Sequence, residues 1–164
     1  MEVNNLERSA FNYKDTYMLG TSEIIQNPLP DFSGFIKDIN PSECTVLIVD
    51  DDPDHRNLLE IVINQAGFKT FSAASADECM KIMSKRFIDL VVCDILMPEI
   101  SGIDFVRSLK AMRTIPRKSS VPVILSTAGN EGTEFEAIKA GADMFCLKKH
   151  AQNQLIKQIN FLLQ

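Results

Sequence analysis

Val46-Leu47-Ile48-Val49-Asp50-Asp51 is a short apolar run that ends in two acids, and Leu90-Val91-Val92-Cys93-Asp94 repeats the pattern with one. Two further runs end in other polar groups: Val123-Ile124-Leu125-Ser126-Thr127 and Met144-Phe145-Cys146-Leu147-Lys148. Short continuous apolar runs, with no polar alternation, are what strands buried on both faces look like. Such strands belong in parallel sheets, where all the C-terminal ends meet at one edge. Open α/β sheets hold ligands at that edge. The pattern therefore predicts an acidic site with one lysine, suited to a metal ion and a phosphoryl group.

Outward from these runs the chain alternates between strand-like and helix-like segments, which predicts βαβ units around a parallel sheet. Five pairs fit. Strand one covers about residues 45–49, and the helix after it takes Asp54 as N-cap, Leu58, Leu59, Val62 and Ile63 as its buried stripe and Gly67 as its stop. Strand two lies near residues 69–72. The second helix begins at the Ser75-Ala76-Asp77-Glu78 capping pattern and buries Cys79, Ile82 and Met83. Strand three is 90–93, and Pro98 and Gly102 punctuate the loop before a helix whose apolar face is Ile103, Phe105, Val106 and Leu109. A basic connection over 113–120 leads to strand four at 121–126. Helix four runs through Phe135, Ile138 and Ala140 to Gly141, strand five is 144–147, and helix five carries Leu155, Ile156, Ile159 and Leu162. Right-handed crossovers leave few arrangements. The expected fold is a flavodoxin-like (βα)5 doubly wound parallel sheet of strand order 2-1-3-4-5, with an N-terminal extension.

That extension is residues 1–43, and the folded domain is residues 44–164. Within the extension, Leu6, Ala10, Tyr13 and Tyr17 recur at helical spacing, Asn4 and Glu7 stand at capping-box offsets, and Gly20 offers a stop. Asn27-Pro28-Leu29-Pro30, Gly34 and Pro41 then read as a linker. A chain of 164 residues with 45% hydrophobic content builds one good core, not two. The net charge of -5 argues against direct nucleic-acid binding, which needs a basic surface. Four cysteines without C-x-x-C spacing, two of them inside apolar runs, suit a reduced, cytoplasmic protein. The N-terminus has no signal-peptide pattern, and no apolar stretch is long enough to span a membrane.

In the expected strand order Asp50, Asp51 and Asp94 converge, because strands one and three are neighbours. Like charges raise one another's pKa, so such a cluster calls for a cation. All-oxygen ligands suit Mg²⁺. Asp52 and Asp54 read instead as solvent-facing helix caps. A carboxylate can also attack phosphorus to form an acyl phosphate once the equatorial oxygens are neutralised. Thr127 can supply a hydroxyl hydrogen bond there, and Lys148 a positive charge.

Four motifs in order, Val49-Asp50-Asp51-Asp52-Pro53, Asp94-Ile95-Leu96-Met97-Pro98 with Gly102, Ser126-Thr127-Ala128, and Gly141-Ala142-Asp143 leading to Phe145 and Lys148, resemble the receiver domain of bacterial response regulators. The likeness runs from about Thr45 to the C-terminus. It implies Asp94 as phosphoacceptor, with Asp50, Asp51, Asp94 and the Leu96 backbone carbonyl around Mg²⁺. It implies Thr127 as switch hydroxyl, Phe145 as switch aromatic and Lys148 as the lysine that contacts the phosphoryl group. Without it, Phe145 reads as core. The implied role is a switch and not an enzyme, although one that assists its own phosphorylation and dephosphorylation. The implied partners are a histidine kinase or histidine phosphotransfer protein and a downstream protein target, with room for a homodimer and none for nucleic acid or membrane.

Three departures stand out: Lys149 where the family commonly has proline, Met144 where it commonly has an acid, and a fifth helix with Lys157 but no arginine. Two other readings compete. Asp50 and Asp52 fit the D-x-D opening of haloacid-dehalogenase-type phosphatases, but that reading leaves Asp94 unused and finds no acidic motif after Lys148. A degenerate receiver that binds partners without phosphorylation is the other.

Overall fold

The computed structural model describes residues 39–112, 121–129 and 133–164. The expected arm helix and the 113–120 connection lie outside the described residues. The strands are β1 Thr45–Val49, β2 Lys69–Ala73, β3 Leu90–Asp94, β4 Val123–Thr127 and β5 Met144–Leu147. Between and after them come α1 Pro53–Gln65, α2 Ala76–Lys85, α3 Gly102–Ala111, α4 Thr133–Ala140 and α5 Ala151–Leu163. Short 3₁₀ turns sit at Pro41–Glu43 and Lys148–His150.

All strand pairings are parallel, as the apolar runs predict, and the order is β2-β1-β3-β4-β5, that of the expected flavodoxin-like fold. The runs without alternation, in β1, β3 and β4, occupy the sheet centre and are buried almost throughout. The more polar Lys-Thr-Phe-Ser-Ala of β2 forms an edge, where Lys69 and Phe71 face water. Each face of the sheet carries its own core. Leu47, Val49, Val91, Cys93, Val123 and Leu125 pack with Cys79 and Met83 of α2, Phe105, Val106 and Leu109 of α3 and Ala137 of α4. Val46, Ile48, Leu90, Val92, Ile124 and Cys146 pack with Leu59 and Ile63 of α1 and Leu155 and Ile159 of α5.

Several boundaries and stripes differ from expectation. The N-cap of α1 is Asp52 and not Asp54: its carboxylate accepts the backbone N–H of Asp54 at 3.0 Å and of His55 at 3.4 Å. Pro53 explains the shift, because a residue with fixed φ and no N–H fits the first helical position, which makes its predecessor the cap. Leu58 is largely exposed, so α1 buries Leu59 and Ile63 alone. Phe135 is 71% exposed, and α4 packs through the small Ala137 and Ala140 instead. The second helix starts as expected, whereas the third takes Gly102, expected in the preceding loop, as its first residue with Ser101 as N-cap. Ser75 accepts the Glu78 N–H while Glu78 reaches back to the Ala74 N–H, and Ser101 accepts the Asp104 N–H. Gly67, at φ +95, ends α1 in a conformation that costs other residues strain.

The Gly141-Ala142-Asp143 motif has a structural use. Asp143 Oδ2 accepts the Val123 N–H at 2.8 Å and pairs with Lys110 Nζ at 2.9 Å, and Lys110 also caps the Val121 carbonyl. These bonds pin the start of β4 to α3. At the Lys148-Lys149 corner the chain turns directly through the 3₁₀ segment into α5, and every described peptide bond is trans.

Candidate functional site

The register sets the site. Val49 pairs with Cys93, so the next residues along, Asp50 and Asp94, stand side by side at the C-terminal ends of adjacent strands. Asp94 in turn pairs with Ser126 on β4, and Ser126 with Cys146 on β5, two residues before Lys148. Alternation places Asp50 and Asp94 on the face shared by Ile48 and Val92, beneath α1 and α5. Both acids are nearly inaccessible, at 1% and 5% exposure, while Asp51 faces solvent.

One carboxylate oxygen from each of Asp50, Asp51 and Asp94 lies within 4.8 Å of the others. Lys148 Nζ bridges two of them, at 2.8 Å from Asp50 Oδ2 and 2.8 Å from Asp94 Oδ2. Three carboxylates against one ammonium leave a net negative, all-oxygen pocket. That donor set fits a hard divalent cation with oxygen ligands better than a softer metal.

The two buried acids are held differently. Burial favours the neutral form of Asp50, but hydrogen bonds from His55 and Lys148 outweigh it and hold the carboxyl below the usual range. For Asp94, burial dominates over the help from Lys148, and the Asp50 charge adds to it, so its pKa is raised. Burial alone would lower the Lys148 pKa, yet the hydrogen bonds it donates to both acids raise it and keep the ammonium charged. Of the two buried acids, the phosphoacceptor candidate is thus the one whose negative charge is less compensated.

The backbone completes the surroundings. Leu96 N–H donates to Asp94 Oδ1 at 3.3 Å, which sets the Leu96 backbone beside the carboxylate while its side chain projects into solvent. Gly102 N–H donates to the Ile95 carbonyl at 2.9 Å and draws the start of α3 against β3. Thr127 is buried at the end of β4, with Oγ1 accepting the Gly129 N–H at 3.1 Å. Phe145 is half-buried against the Leu125 and Ala137 core, and its carbonyl accepts Gln158 Nε2. Among the sequence candidates, Asp50, Asp51, Asp94, Lys148 and the Leu96 backbone come together. Thr127 and Phe145 stand on the adjacent strands β4 and β5, two register positions apart, and no hydrogen bond joins their side chains to the acids among the described residues.

Two residues escaped sequence reasoning. His55 Nδ1 lies 2.5 Å from Asp50 Oδ2, and Arg56 Nη1 donates to the Asp50 carbonyl at 2.5 Å. The usable signal was the cap. With Asp52 as N-cap, His55 occupies the third helical position, one turn above the cap and beside the end of β1. Asp52, by contrast, is committed to capping α1, which removes the second acid that the phosphatase reading needed.

Comparison with known proteins gives a consistent result. Residues 46–160 match the family model described as the response regulator receiver domain. Response regulator SaeR of Staphylococcus aureus is 33% identical over 119 residues, covering 72% of this chain and 50% of SaeR. The phosphate regulon transcriptional regulatory protein PhoB of Pseudomonas aeruginosa is 27% identical over 121 residues, covering 73% of this chain and 52% of PhoB. The chain spans about half the length of these curated relatives. Among solved structures, the signal receiver domain of a signal transduction histidine kinase from Syntrophus aciditrophicus superposes with a TM-score of 0.65 at 28% identity, covering 73% of this chain and 89% of that one. With the family model spanning most of the chain and the same fold behind it, this protein belongs to the response regulator receiver domain family of two-component signalling.

Proposed function

We propose that residues 44–164 act as a phosphoryl-accepting switch in which Asp94 takes the phosphoryl group from a phosphohistidine. The donor is a histidine kinase or a histidine phosphotransfer protein, and residues 1–43 form an extension to this unit. The observation that carries the reading is Lys148 Nζ at 2.8 Å from both Asp50 and Asp94, beside the exposed Asp51 carboxylate. An Asp94 carboxylate oxygen attacks phosphorus, the O–P bond forms, and the P–N bond of the donor breaks with its electron pair returning to the imidazole, which takes a proton from solvent. The product is an acyl phosphate on Asp94.

Asp50, Asp51, Asp94 and the Leu96 carbonyl would hold Mg²⁺, which when bound supplies charge neutralisation for the phosphoryl oxygens. Lys148 stands ready to neutralise another of these oxygens. Thr127 would donate its hydroxyl hydrogen to the phosphoryl group, and Phe145 would follow it inward. That pair biases the α4-β5-α5 face between two states read by a downstream protein. The same residues assist hydrolysis of the acyl phosphate in this reading. No described helix is long and apolar enough to cross a membrane.

The test is incubation with Mg²⁺ and a small acyl phosphate, read by intact mass. The expected result is a gain of one phosphoryl group that requires Mg²⁺ and disappears in Asp94→Asn. Full labelling of Asp94→Asn would overturn the assignment. Sustained turnover of a phosphomonoester would point instead to the phosphatase reading.

A further inference from the structure

The contact between His55 and Asp50 is not accounted for by the roles above. The His55 side chain is 12% exposed, and its Nε2 is buried without a partner among the described residues. An unmade hydrogen bond on a buried ring nitrogen is costly. The ring is held by its other nitrogen: an ionised carboxylate can only accept, so the contact assigns the proton to Nδ1, which donates to Asp50 Oδ2 in a charge-assisted bond of the strong kind. The same oxygen accepts Lys148 Nζ at 2.8 Å, whereas among the described residues Asp50 Oδ1 accepts only the Asp52 N–H at 3.0 Å. Asp50 is thus gripped by two side chains at one oxygen and left with spare acceptor capacity at the other.

We propose that His55 is a positioning residue for the divalent-cation site, holding the Asp50 carboxylate in place independently of Lys148. This rests on the reading of Asp50, Asp51 and Asp94 as the cation-binding set. Lys148 cannot serve the Asp50 carboxylate and a phosphoryl oxygen equally well. When it turns to the phosphoryl group, a carboxylate anchored by it alone would lose its orientation. His55 supplies a second anchor from α1 that does not take part in the transfer. Outer hydrogen-bond partners of this kind govern metal affinity by about 10–100-fold.

Isothermal titration with Mg²⁺ alone, without phosphodonor, tests this on the full chain, with thermal unfolding in EDTA as the check on folding. His55→Leu keeps an apolar group of similar size and removes the donor, so Mg²⁺ binding should weaken by about tenfold or more. His55→Asn puts an amide N–H near the Nδ1 position and should stay within about threefold of the parent protein. Unchanged affinity in His55→Leu overturns the proposal. Equal loss in both variants also overturns it, because the ring would then matter for its shape and not for its donor. Should His55→Leu fail to fold, His55→Ala replaces it in the same comparison. If the parent protein and Asp51→Asn both fail to bind Mg²⁺, the reading of the cation site itself fails, which is a different result from a bound ion indifferent to His55.

Discussion

Gly102→Ala joins the fold to the chemistry most directly. A Cβ at Gly102 would lie 2.1 Å from the Asp94 carbonyl oxygen and 2.9 Å from both the Asp94 carbonyl carbon and Ile95 Cα. All three are backbone atoms, so no side-chain rotation relieves the clash. Restoring ordinary contact needs a separation of about 1 Å between the start of α3 and the end of β3, an overpacking cost of roughly 1–3 kcal/mol. The same movement stretches the Gly102 N–H bond to the Ile95 carbonyl, worth about 0.5–1.5 kcal/mol. Against these, alanine restricts the unfolded chain and returns about 0.4–1 kcal/mol. The net expectation is about 2–3 kcal/mol of destabilisation, a fall in Tm of roughly 5–12 °C for a domain of this size.

Function should suffer beyond stability. The backbone that must move carries Asp94, and a misplacement of about 1 Å can cost on the order of 100-fold in a positioned reaction. The assays are thermal unfolding and the initial rate of phosphorylation by an acyl phosphate, the latter well below the lowered Tm. Gly129→Ala is the control for stability, since its Cβ would meet only Thr127 Oγ1 at 3.4 Å. A Gly102→Ala protein whose Tm lies within ~2 °C of the parent would refute the reasoning, because the close approach would then be relieved at negligible cost.

Removing the Lys148 charge in Lys148→Met leaves Asp94 facing Asp50 with no cation between them, although His55 still donates to Asp50. Breaking a buried pair costs about 3–5 kcal/mol, and the effect here should fall below that because Asp94 can take up a proton. Thermal unfolding in EDTA should show the loss, and Mg²⁺ at 100 times its Kd should return about 2.7 kcal/mol; a variant as stable as the parent in EDTA would contradict the bridging role. The thiols make a separate prediction. Cys79, Cys93 and Cys146 are buried in the two cores, and burial pushes the Cys146 thiol up to about 11 and the Cys93 thiol well above its ordinary value. Iodoacetamide at mildly alkaline pH should spare all three in the native protein and reach at most Cys44, so rapid native labelling of Cys93 or Cys146 would show that β3 or β5 is less enclosed than described.

The sheet and the acids at its edge were legible in the chain because both are local patterns. A run such as Leu90–Cys93 shows its burial by lacking polar residues, and the residue after such a run must emerge at the strand end. Parallel pairing then gathers Asp50, Asp94 and Lys148 at one edge whatever the details of packing. Helix faces were less legible. Leu58 and Phe135 satisfy helical spacing yet face solvent, since spacing cannot tell which side of a helix meets the sheet. The cap of α1 was misread because Asp52 and Asp54 are equally good capping residues, and only the constraint of Pro53 separates them.

By itself, then, the sequence determined the fold class and which acids and lysine stand at strand ends, because these follow from short-range pattern and chain direction, while the strand order came from the fold type that the pattern resembles. The tertiary structure decided how those groups are held. Lys148 spans both acids, His55 grips the oxygen that Lys148 shares, and Gly102 admits α3 against the Asp94 backbone. The Lys148 contacts join residues distant in the chain, and all of these contacts hold to tolerances of a few tenths of an ångström. Such distances are fixed by the packing of α1, α3 and β5 on the sheet, and no periodicity along the chain encodes them.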